Sequence, residues 1–442
     1  MILRDATLLD FQGLSRRAGL DVHVADGRIR RITPTGVAAG IAPAGQDPAG
    51  EEVLDCTGLY LVPGLVNTHS HTAMTLLRGA AEDCTVQDWF NRYIWRYERA
   101  LRAEDVYWGT LLGAAEMLLA GVTCAADHYF HMDRAWQAYS DSGMRADLAW
   151  AAFGTGEGWE RQWAQALEFS RGFAARDPRL TVSLGPHSPY ICPESFLRRV
   201  AEAAGEMKLK LHIHVSEESS QLERSLAEKG CTPVETLERT GVLRAGTVLA
   251  HAYWATDRDL ALIREHGAGV AHCPKTYMKF GDVNDFLPRA LAAGVAVGLG
   301  TDGPGSGNSQ GIFEAARDAA LLAKAARRDA RVARIGEVLP LCHRGGELLG
   351  IAGYGRLEEG APADLVLLDP RTPAMTPEHD VFANVLYSLG ERNIHTVIVD
   401  GRVLVREGRL LHLDLEELRR RAGEIAARLV RTAGDSPMQS YG

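Results

Sequence analysis

Eight apolar runs separated by amphipathic helical stretches fill the chain between Pro63 and about Ala352: GLVNTHSH, GVTCAADHYF, RADLAWAAFG, LTVSLGPHS, LKLHIHVSE, GTVLAHAYW, GAGVAHCP and VAVGLGTDG. Each is continuously apolar, the texture of a strand covered on both faces, and strand–helix repetition of this kind builds a parallel sheet. Eight such units close into a (β/α)8 TIM barrel, an α/β fold whose chemistry sits at the C-terminal ends of the strands. Nearly every run here ends in His, Asp or Glu. No G-x-G-x-x-G follows any of them, which disfavours an open dinucleotide-binding sheet.

The 442 residues accommodate a barrel of about 250 plus a second module. Residues 1–62 read as short strands and turns: an opening strand, LDVHVADGRIRRI with Asp26-Gly27 as a hairpin signal, and EEVLDCTGLYLVP. The same texture returns in ADLVLLDP and in TVIVDGRVLVREGRL, with Asp400-Gly401 between two alternating runs, before a helical tail LEELRRRAGEIAARLV. Residues 1–62 and 353–442 are therefore expected to join into one composite β domain beside a catalytic barrel at 63–352.

Lys plus Arg number 48 against 57 Asp plus Glu, a formal net charge of -9. That balance repels phosphate backbones, so no nucleic-acid partner is expected. The densest basic stretch, Lys324 to Arg334, reads as a helix with its polar side in solvent. The N-terminus lacks the pattern of a signal peptide, and no window of about 18 residues is free of charge, so no membrane span is expected. Seven cysteines, widely spread and without a C-x-x-C pair, fit a reducing compartment and exclude a cysteine zinc knuckle. A cytoplasmic location is expected.

His69 and His71 lie two apart in NTHSH, and residues i and i+2 of an extended strand share a face, so both imidazoles can reach one cation. Alone, such a pair serves equally well as two polar strand-end groups. Later strands add His212 and His214, then His251, then Asp302. A carboxylate ending an aliphatic run needs a partner, because an unpaired buried charge costs several kcal/mol. His69, His71, His214 and Asp302 together suit Zn2+, with Fe2+ as second choice, and leave a coordination position for water. A bound ion lowers the pKa of that water to about 7, and Asp302 can take its proton. Glu217 reads either as a helix-start residue favoured by the dipole or as a general acid. His251 reads either as a core histidine or as a group polarising the attacking water. His212 is placed behind the ligands and His272 near the mouth, neither with an assigned role. His128 and His131 read as supporting or surface groups, and His266, His343, His379, His395 and His412 as peripheral.

These residues resemble those of the amidohydrolase superfamily, in its cytosine deaminase, chlorohydrolase and adenosine-type deaminase branch. PGLVNTHSHTAMTLLRG, GPHSPYICP, HVSE, LAHAYW, HCP and LGTDG occur in that family's order across nearly the whole chain. The resemblance implies one metal ion on His69, His71, His214 and Asp302, Glu217 as proton shuttle, His251 over the water, and a composite β-sandwich from both termini. No lysine ends the fourth strand, so a dinuclear site bridged by carbamylated lysine is not indicated. Within the branch the chain is similar to S-adenosylhomocysteine, methylthioadenosine and adenosine deaminases, which implies ribose contacts from Trp89, Glu98 and His187; read alone, Trp89 is helix core and Glu98 a solvated helix face. Trp150 stands where homocysteine-utilising members carry Arg, so a carboxylate-bearing nucleoside is expected to gain nothing. HCPKTYMKFGDVNDF replaces the more usual HCPxSNxKL and GTDGPGSGNS replaces GTDGxxSNN, so the pocket floor around Lys275–Phe280 is expected to differ. The function implied is hydrolytic deamination of an adenosine-type nucleoside. The alternatives are a free base, pterin or s-triazine as substrate, dechlorination included, and a metal-binding scaffold without catalysis. A small-molecule substrate and, from family habit, a homo-oligomer are expected.

Overall fold

The computed structural model describes residues 1–36 and 52–434; the run read as EEVLDCTGLYLVP begins one residue outside them, at Glu51. Eight parallel strands, Leu65–Ser70, Val122–Tyr129, Arg145–Ala152, Leu180–Pro186, Lys210–Val215, Thr247–His251, Gly269–His272 and Ala296–Leu299, follow one another in chain order around a single sheet. All eight apolar runs hold these strands, and nearly every residue in them is buried, as expected where helices cover the outside.

The ring closes between its first and last strands largely through side chains. Thr68 Oγ1 donates to Leu299 O at 2.7 Å, Asn67 Nδ2 donates to Thr301 Oγ1 at 2.7 Å, and the Asp302 amide donates to His69 O at 3.1 Å. This closeness requires glycine at 298, where a Cβ would sit 2.6 Å from Thr68 Cγ2. The closure places Asp302 over the strand that carries His69.

A second, nine-stranded mixed sheet takes strands from both ends of the chain. Its seam is the antiparallel pairing of Tyr60–Pro63 with Leu365–Leu368, in which Leu61 faces Leu367 and Val62 faces Val366. Asp26-Gly27 and Asp400-Gly401 form the two tight hairpins expected, with both residues of each turn at positive φ. The sheet has a core of its own, built from Leu3, Leu8, Val22, Ile29, Leu61 and Leu365 among others. The C-terminal helix Leu415–Thr432 buries Leu418 against Leu111 and Ala115 of the helix Ala103–Leu119.

Two expectations are corrected. Lys324–Arg334 is not one helix: Ile312–Arg327 ends at Arg328, which takes φ +52°, and Lys324 Nζ turns back to the carbonyls of Ala330 and Ala333 at 3.0 and 3.1 Å. The ammonium thus holds the turn that follows, while Arg327, Arg328, Arg331 and Arg334 stay exposed. His343 is remote from the barrel mouth but fully buried, stacked on Phe11 at 5.9 Å. Among the described residues no helix is long and apolar enough to cross a membrane, and all seven cysteines are free.

Candidate active site

His71, His214 and Asp302 converge at the C-terminal mouth of the barrel with His69 and His251. The hydrogen bonds behind the rings fix how they point. His71 Nδ1 meets the His128 carbonyl and His214 Nδ1 meets the His187 carbonyl at 2.9 Å. A carbonyl only accepts, so each Nδ1 carries the proton and each Nε2 presents a lone pair inward. Those two lone pairs stand 3.2 Å apart. His69 Nδ1 lies 2.8 Å from His212 Nε2, while its buried Nε2 has no hydrogen-bond partner among the described residues. Asp302 Oδ1 lies 3.4 Å from His69 Nε2 and 3.3 Å from His71 Nε2. Facing lone pairs, an orphaned imidazole nitrogen and a carboxylate oxygen in one buried spot repel one another unless a cation sits among them. The donor set therefore fits a divalent metal ion of the N/O-binding kind.

The backbone at this mouth is strained at Asp302 and His251 and beside Glu217 and His251. Ser216, His251, Ala252 and Asp302 take φ of 47°, 74°, 46° and 59°, a region L residues rarely occupy and one that clusters at working sites. Thr276 Oγ1 and Ser306 Oγ donate to Asp302 Oδ2 at 3.0 and 2.6 Å, leaving Oδ1 to face the imidazoles.

The two site carboxylates are driven apart. Burial pushes Asp302 up, but the imidazoles of His69, His71 and His251 facing it outweigh that and hold the carboxyl well below its usual range. Glu217 is pushed well above its ordinary value by burial and by the charge of Asp302. Its side chain is 3.3 Å from the Tyr190 hydroxyl and 3.8 Å from His251 Nε2, and its amide donates to Gln221 Oε1 at 2.8 Å. One carboxyl held below its usual range beside one raised above it is a pairing suited to acid–base work.

Outward from these groups the pocket is walled by Trp89, Glu98, Phe153, His187 and Phe280. Trp89 opens a widened helical turn over Trp89–Ile94, in which the Trp95 amide reaches the Phe90 carbonyl, and its indole N–H donates to Gly305 O at 3.0 Å. Glu98 is buried, which overturns its reading as a solvated helix face. Burial pushes its carboxyl up to about 8, with the Tyr129 hydroxyl pulling the other way. The His187 ring stacks on Phe153 at 5.0 Å and is held at about 3 by burial.

The remaining histidines sort by position. His212 backs His69, and His128 bonds Gly185 O at 3.1 Å and reaches the pocket wall. His131 packs on Trp150, and His272 is buried against Phe286. Sequence reasoning missed Tyr190, Gln221, Thr276 and Ser306, which steady the two carboxylates. Tyr190 lay inside GPHSPYICP, but nothing in that motif told which side chain it would meet.

Residues 60–404 match the model of the amidohydrolase family, and the chain belongs to that family. It is 40% identical over 433 residues, 97% of this chain and 99% of the other, to a 5-methylthioadenosine/S-adenosylhomocysteine deaminase of Desulforudis audaxviator. It is 35% identical over 436 residues, 97% of this chain and 98% of the other, to a 5'-deoxyadenosine deaminase of Methanothermobacter thermautotrophicus. Among solved structures, an adenosine deaminase from Xanthomonas campestris with bound zinc superposes with a TM-score of 0.90 at 28% identity, covering 98% of both chains.

Proposed function

We propose that this chain is a metal-dependent hydrolase that deaminates an adenosine-type nucleoside, converting the ring C–NH2 and water into a ring carbonyl and ammonia. The observation that carries the reading is the pair of buried carboxyls, Asp302 against the imidazoles of His69 and His71 and Glu217 beside His251, set around imidazole lone pairs that need a cation. His69, His71, His214 and Asp302 would hold one ion, Zn2+ before Fe2+. When bound, that ion supplies a Lewis acid that makes water acidic enough to lose a proton near neutral pH. Asp302 accepts that proton, Glu217 delivers one to the ring nitrogen beside the carbon under attack, and His251 steadies the oxygen as it adds.

The nucleoside part of the reading rests on Glu98. A buried carboxyl in a pocket wall, with a hydroxyl beside it, is suited to paired bonding with vicinal hydroxyls. His187 flanks it and Trp89 gives an apolar wall. The names of the relatives point the same way. The free cysteines support a cytoplasmic location, and the texture of the chain supports boundaries near residues 62 and 352.

Ammonia release from adenosine, 5'-methylthioadenosine, adenine, a pterin and an s-triazine tests this directly. A nucleoside is expected to lead, and Glu98→Ala to lower its kcat/KM by about 10-fold to 100-fold while leaving adenine unchanged. A free base, pterin or triazine as best substrate removes the ribose reading, and no ammonia from any of them leaves a metal-binding scaffold.

A further inference from the structure

The four imidazoles nearest the mouth are not held alike. His71 and His214 are tied at Nδ1 by carbonyls, and His69 is tied at Nδ1 to His212. His251 Nδ1, buried, meets no hydrogen-bond partner among the described residues. A neutral imidazole with a free Nδ1 side can turn about its Cβ–Cγ bond unless packing stops it, because terminal sp³–sp² torsions have broad minima. His251 also sits on strained backbone at φ +74°.

Packing is what stops it. The His251 ring meets the His69 and His214 rings at 5.3 and 5.7 Å, and it meets the Tyr277 ring edge-on, with centroids 5.7 Å apart and planes at 68°; of the three, Tyr277 alone is no proposed metal ligand. Tyr277 is itself immobilised on three sides. Its ring lies flat on Tyr253 at 3.8 Å and 10°, its hydroxyl accepts the Cys273 amide at 3.0 Å, and its far edge is covered by His272 at 5.4 Å. Tyr253 is anchored in turn, its hydroxyl accepting the Asn284 amide at 2.6 Å and facing the Asn284 carbonyl at 3.2 Å. Both rings are fully buried.

We infer that Tyr277 is a positioning residue: its ring, backed by Tyr253, fixes the orientation of His251 in place of the hydrogen bond that Nδ1 lacks. Edge-to-face aromatic contacts contribute about 0.5–1.5 kcal/mol beyond buried area, enough to bias one ring orientation over its alternatives. The inference rests on the proposed function, which gives His251 its task. Substrate is read by the pocket wall and the ion by its ligands, neither of which includes Tyr277, so the effect falls on turnover alone.

The test compares Tyr277→Leu, Tyr277→Asn and Tyr277→Phe in the metal-loaded full chain, reading kcat and KM for adenosine, metal content and Tm. Leu and Asn are expected to lower kcat about 10-fold to 100-fold, the cost of a misplaced catalytic group, with KM within about twofold and one ion per chain retained. Phe keeps the ring and is expected to hold kcat within about threefold. Leu or Asn with wild-type kcat overturns the inference, as does Phe losing as much as Leu, which would put the role on the hydroxyl. A fall in metal content or Tm that tracks kcat across the series makes Tyr277 merely structural and overturns it too. A wild-type chain releasing no ammonia from adenosine overturns the proposed function and this inference with it; in the other outcomes the proposed function stands.

Discussion

At the N-terminal face of the barrel Arg145 donates to Asp364 at 2.9 Å and to Asp400 at 2.7 Å, tying the third strand to the terminal sheet. Beside it, Asp147 accepts from Thr181 and Ser183 at 2.5 Å each and pairs with Lys210 at 3.1 Å. Every one of these buried charges is answered by another part of the same chain. At the C-terminal face, His69 Nε2 and His251 Nδ1 have no hydrogen-bond partner among the described residues, two lone pairs face each other, and four non-glycine residues stand at positive φ. The same strands run between both faces, so the difference lies in what completes each one. The lower face is completed by the protein and holds it together; the upper face is left for something that binds.

Substitutions should separate the two faces cleanly. Glu217→Gln should lower kcat by about 10²-fold to 10⁴-fold, the usual contribution of a general acid or base, while metal content and Tm stay at wild-type values. Near-full turnover in steady-state assays would return Glu217 to a helix-start role. Arg145→Met should show the reverse. Removing one partner from a buried pair costs about 3–5 kcal/mol, to be seen in denaturant unfolding, with kcat per folded molecule unchanged. A large loss of turnover without loss of stability would erase the distinction between the faces.

A third effect concerns Glu98, an upper-face group raised toward neutral pH. Its carboxyl is raised to about 8 from an ordinary 4.5, so the folded chain binds this proton more tightly than the unfolded one. The stabilisation is then full below about 4.5 and is lost as pH climbs toward about 8. Glu98→Gln copies the neutral form and removes that slope. The variant should gain Tm relative to wild type between pH 5 and pH 8, and a constant difference across that range would mean Glu98 is ionised throughout.

The barrel and the terminal sheet were legible from sequence because both depend on patterns spread over many residues: unbroken apolar runs for the strands, Asp-Gly pairs for the hairpins. The imidazole cluster was legible because alternation along a strand puts His212 and His214 on one face, and because the i, i+2 spacing brings His69, near the end of the first strand, and His71, just past it, to the same mouth. What hid was tertiary. Glu98 in RYERAL looks like any solvated helix position, and only the folding of Thr85–Arg99 over the mouth buries it. The end of the helix at Arg327 has no glycine to announce it, because Lys324 holds the turn from behind. Thr276, Ser306 and Tyr277 come to the site on loops whose paths no local pattern dictates.

The central claim is that one divalent ion completes the upper face and that turnover depends on it. Chelated protein, titrated with Zn2+ while adenosine deamination is followed, should regain activity linearly and level off at about one ion per chain, the number of sites that His69, His71, His214 and Asp302 can form. Full activity in the stripped protein, or a plateau reached only near two ions per chain, would contradict it.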